Sequence, residues 1–85
     1  MQDTIRVEAP DLRSAMSLVR RAAEQYRADL VPLQHDTWEI RVAGVDEFGD
    51  VFSLVEEWLD DAGVSTTTVH LDGHVYTMNR RVALA

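Results

Sequence analysis

The chain contains no cysteine and no lysine. Without thiols there is no disulfide, no thiolate nucleophile, no iron–sulfur cluster and no cysteine-based zinc site. Without lysine, all eight basic residues are arginines. Coding bias explains that as readily as selection for bidentate arginine contacts does. No apolar run approaches the roughly 20 residues that a membrane-spanning helix needs. The first residues lack the basic-then-apolar order of a secretory signal, so a cytoplasmic protein is expected. Positive charge is scarce too: 8 basic residues face 15 acidic ones, a net charge of −7. Nonspecific nucleic-acid binding depends on neutralising phosphates and is therefore disfavoured. Neither a nucleic acid nor a membrane is an expected partner.

What is present is enough apolar material, 46% of 85 residues, for one small domain spanning residues 1–85. The clearest block runs from Asp46 to Gly63. Phe48, Val51, Phe52, Val55, Trp58, Leu59 and Ala62 recur at the spacing of one helix face. Asp46, Glu47, Asp50, Glu56, Glu57, Asp60 and Asp61 fall outside that stripe, with no arginine among them. Asp46 suits the cap and Gly63 the left-handed end. A second stripe, Leu12, Ala15, Met16, Val19, Ala22, Ala23 and Tyr26, follows Pro10, a good first helical residue.

The remaining blocks read as strands. Thr4–Ala9 alternates, with Ile5, Val7 and Ala9 inward, and Thr37–Ala43 alternates with Trp38, Ile40 and Val42 inward. Leu30–Gln34 is short, and Pro32 confines it to a sheet edge if it is a strand. His35-Asp36 suits a tight turn. Thr66–Leu71 and His74–Met78 flank Asp72-Gly73, a strong hairpin signal. That turn pairs Leu71 with His74 and Val69 with Tyr76, and sets His70 and His74 on opposite faces. The order is strand, helix, strand, strand, helix, strand, strand. Its first six elements match an α+β, ferredoxin-like βαββαβ two-layer sandwich, extended by a C-terminal hairpin strand. If residues 30–34 are only a loop, a βαβαββ α/β sandwich results. The tail from Arg80 to Ala85 extends the last strand or frays.

Chemistry is hard to find in this pattern. No histidine pair shares a face at metal spacing, no serine sits in a glycine-flanked elbow, and no glycine-rich phosphate loop exists. Gly44, with Val45 and Asp46, leads into a helix start, but Asp46, Glu47 and Asp50 would repel an anion there. An RNA-stacking sheet needs exposed aromatics on central strands, where threonine, arginine and glutamate stand instead. No cofactor, metal or catalytic residue is expected.

The expected function is a non-enzymatic interaction or regulatory module that binds a protein partner, or a second copy of itself. Three surfaces are candidates. One is the acidic helix, with Asp50, Leu54, Glu56, Glu57, Asp60 and Asp61; Leu18 and Leu54 lie off their stripes and suggest exposed contacts. Another is the unpaired strand edge after Met78. The last is the open sheet face, with Arg6, Glu39, Arg41 and His70. A small-metabolite-binding homodimeric regulatory domain is the alternative, and a small enzyme using the open sheet face is a further one.

Overall fold

The computed structural model describes residues 3–80. Seven elements follow one another: β1 (Asp3–Ala9), α1 (Leu12–Ala22), β2 (Arg27–Pro32), β3 (Trp38–Val45), α2 (Phe48–Ala62), β4 (Thr66–Leu71) and β5 (His74–Asn79). The chain is an α+β fold with two helices and a five-stranded antiparallel sheet of order β2-β3-β1-β4-β5. β1 and β2 thus run the same way with β3 between them. β3 and β4 run the same way with β1 between them. Among the described residues no helix is long and apolar enough to cross a membrane.

One face of the sheet meets both helices. Ile5 and Val7 of β1, Ile40 and Val42 of β3 and Val69 of β4 are buried there, together with Leu18 of α1 and Trp58 of α2. The alternation expected of β1 and β3 holds. β3 contains one extra residue: Asp3 pairs with Val45 but Ile5 with Val42. Gly44 lies in that interval at φ 81°, the glycine geometry of a bulge that returns Val45 to the core side.

Four expectations about segment limits need correction. β2 is a strand, which removes the βαβαββ alternative, but it spans Arg27–Pro32 and not 30–34. Tyr26, expected on the first helix, lies beyond its end at Ala22. α1 begins after Asp11, whose side chain accepts from the Ser14 amide at 2.7 Å, so Pro10 lies outside the helix. At α2 the capping residue is Glu47, not Asp46, and its side chain makes no cap bond. That helix closes at Gly63, as expected.

The face of α1 also differs. Ser14, Ala15, Leu18 and Ala22 are buried, whereas Leu12 and Met16 point outward. The reason lies in α2. The fully buried Trp58 indole donates to the Ser14 carbonyl at 2.8 Å, which draws the Ser14–Leu18 side of α1 inward. Leu18 and Leu54, expected as exposed contacts, are both core residues. The second stripe has the expected phase: Val51, Val55, Trp58 and Leu59 are buried, with Phe48, Phe52 and Ala62 at its margins.

The terminal hairpin has the expected register, Leu71 with His74, Val69 with Tyr76 and Thr68 with Thr77. Asp72 and Gly73 have φ of 50° and 77°, a two-residue turn with both central residues left-handed. Tyr76 lies on the helix side of the sheet, opposite Val69. It is 43% exposed, because α2 reaches β5 only at its margin, through an edge-to-face contact of Phe52 with Tyr76 at 6.0 Å.

Candidate functional site

The acidic helix is fully displayed: Asp46, Glu47, Asp50, Glu56, Glu57, Asp60 and Asp61 are all exposed. It is not without counter-charge. Arg21, from the last turn of α1, bonds Glu57 at 3.3 Å and also Asp61. The basic side of α1 therefore meets the acidic side of α2 within one chain. Two of the residues expected to hold a partner are engaged in this internal pair. Leu54 is corrected as well, since it is 8% exposed and lies low between the helices. Between them runs a shallow groove of about 900 Å³, with Arg13 and Arg20 on one wall, Asp50 and Glu57 on the other and Met16 and Leu54 between. Beyond the end of α1, burial and then the charges of Asp50 and Asp46 push the Tyr26 phenol above its ordinary pKa. The phenol is a neutral donor at neutral pH.

The open sheet face brings Arg6, Glu39, Arg41 and His70 together. Registers align Asp29, Arg41, Arg6, His70 and Val75 in one row across the five strands. Glu39 was expected to be exposed but is 5% exposed, held by Arg41 Nε at 2.9 Å and by Arg6 at 3.8 Å. His70 contacts Glu8 at 2.9 Å. Glu39 thus serves both arginines, and His70 and Glu8 serve each other on the same face. The arrangement ties neighbouring strands together. His70 and His74 lie on opposite sides of the sheet, so one ion cannot join them.

The edge of β5 is different. Five of its six residues are exposed, Val75 to 63%. Its backbone phase follows from one bond. Arg80 N–H donates to the Ser65 carbonyl at 2.8 Å, one step beyond the Thr66–Asn79 pair. Bonded and non-bonded pairs alternate along an antiparallel ladder. The bonded pairs are therefore Thr67–Met78, Val69–Tyr76 and Leu71–His74. The amides and carbonyls of Val75, Thr77 and Asn79 turn away from β4, toward the side where, among the described residues, no strand follows. No residue from His74 to Asn79 carries a full charge at neutral pH when its histidine is neutral.

Comparison with protein-family models, with curated proteins and with solved structures gave no match. The strand-edge candidate was visible in the sequence, from the Asp-Gly turn and the run that follows it. The internal Arg21 bridge was not, since its partners lie 36 and 40 residues away.

Proposed function

We propose that the chain is a non-enzymatic interaction module, a ferredoxin-like βαββαβ sandwich with one added strand, and that the added strand is its binding element. The order β2-β3-β1-β4, with both crossovers spanning one antiparallel neighbour, supports the fold part of this reading. The observation that carries the functional part is the outward row of backbone groups at Val75, Thr77 and Asn79 on an uncharged, exposed strand. Such an edge accepts an extended segment by strand addition, with main-chain bonds supplying affinity and alternate side chains supplying selectivity. Val75 on one face and Tyr76 with Phe52 on the other give apolar contacts to such a segment.

The test is a selection of extended peptides from a random library, followed by NMR. Selected peptides should move the amide signals of Val75, Thr77 and Asn79 first, and should lose affinity for Thr77→Pro. That substitution removes a donor that β4 does not use. Peptides that bind the folded proline variant undiminished, or that move only the α2 signals, would sink the reading.

A further inference from the structure

We infer that the β5 edge is self-complementary and joins two copies of this chain, antiparallel, with Thr77 of each copy on the two-fold axis. The inference rests on the reading of β5 as the binding element and names its partner as a second copy.

Parity selects the register. Outward backbone groups belong to Val75, Thr77 and Asn79, an odd number of residues centred on Thr77. An isologous antiparallel pair must be symmetric about one point. Placing Thr77 opposite Thr77 sets Val75 opposite Asn79 in both directions. All three outward residues of each strand then find bonded partners. Shifting the centre to Tyr76 leaves Asn79 facing the turn residue Gly73, and bonds are lost. An odd offset would pair Tyr76 with Thr77 and put the helices of the two copies on opposite faces of a joined sheet. The Thr77-centred register keeps them on one face.

Side chains agree with that register. On the helix side Tyr76 meets Met78 of the second copy, so two partly exposed apolar groups cover each other. On the open side the two Thr77 side chains meet and Val75 packs beside Asn79. Threonine pairs and aromatic–aliphatic pairs are favourable cross-strand neighbours. No like charges are brought face to face between His74 and Asn79. The opposing force is global: each copy carries −7, and the two repel. One six-residue strand pair is a small interface. The dimer is therefore concentration-dependent, and salt strengthens it by screening the repulsion. A basic partner on the acidic helix would show the reverse salt dependence.

The experiment combines mass and cross-linking on the full chain. Sedimentation should show the mass rising toward twice the monomer with concentration, and the midpoint should fall as salt increases. The chain has no native cysteine, so one introduced thiol is unique. Thr77→Cys should form an inter-copy disulfide under mild oxidation, because bonded antiparallel pairs have Cα atoms about 5.5 Å apart. Val75→Cys should link far less, since the two thiols would stand roughly 13 Å apart along the strand. Thr77→Asp, which leaves the backbone intact, should raise the midpoint concentration at least tenfold. A monomer at every concentration with Thr77→Cys unlinked overturns self-pairing, as does equal linkage of the two thiols. The broader reading is judged apart. It stands if library peptides still move the Val75, Thr77 and Asn79 amides of that monomer, and it falls with self-pairing if they do not.

Discussion

β2 and β5 are both six-residue edge strands of one sheet, but they are finished in different ways. β2 carries exposed Arg27 and Asp29 and ends on Pro32, and α1 lies against it. Charge and proline are what natural sheets use to keep an edge from pairing further. β5 carries neither, has Val75 and Tyr76 exposed and is covered only in part by α2. β2 carries the protection that β5 lacks, and the proposed role of β5 rests on that contrast. The lesson is that the absence of a protective residue can be informative when the same sheet shows the protection elsewhere.

The largest test of this contrast removes the anchor common to both edges. Trp58→Ala should cost about 3–5 kcal/mol, because it empties the centre of the helix layer and deletes the bond to the Ser14 carbonyl. Thermal melting should fall steeply, and amide protection of β2 and β5 should vanish together. If β5 kept its protection while β2 lost it, the two edges would not share one core.

Proline scanning of β5 is the next largest effect. Met78→Pro removes an amide that bonds inward to β4 and should destabilise by about 1–3 kcal/mol. Thr77→Pro removes an outward amide and should melt much closer to the parent. A larger loss for Thr77→Pro than for Met78→Pro in urea unfolding would show that the assigned backbone phase is reversed. Gly73→Val follows, at about 1–2 kcal/mol, since it forces a branched residue into left-handed backbone at φ 77°. Hydrogen exchange should speed in β4 and β5 and stay unchanged in β2; uniform acceleration would contradict the local nature of the turn.

The smallest effect concerns the helix beside the guarded edge. Asp11 accepts from the Ser14 amide, and that bond holds its carboxyl below the ordinary aspartate pKa of 3.8. A pKa lowered by folding stabilises above the unfolded value and loses that contribution as pH falls through the folded one. Asp11→Ala should therefore cost about 1 kcal/mol at neutral pH and progressively less in acid. A penalty that stays constant from pH 7 to strongly acidic solution would mean that the carboxylate is not the cap.

What could be read in the sequence was what short-range chemistry decides. The Asp72-Gly73 turn fixes the register of β4 with β5 unaided, and Pro32 assigns β2 to an edge. The inward face of α1 could not be read, because that helix has two apolar stripes. Leu12, Met16 and Val19 form one, Ala15, Leu18 and Ala22 the other, and only the distant Trp58 chooses between them. The acidic helix looked unpartnered for the same reason, since Arg21 becomes its neighbour only after folding. The open edge after Met78 was readable; its phase was not, because that depends on which pairs of the ladder are bonded.

The rows of the open sheet face carry a consequence for folding. Arg6 stands directly opposite Arg41, and Glu8 directly opposite Glu39. Like charges facing each other oppose this alignment. Sliding β3 by two residues would set Arg6 opposite Glu39 and still keep every side chain on its own face. In the observed alignment Glu39 offsets this by meeting both Arg41 and Arg6, and the bulge at Gly44 with the buried fit of Ile5, Val7, Ile40 and Val42 opposes the slide. The register of β1 with β3 is therefore held more by the shape of its buried face than by the charges on its open one.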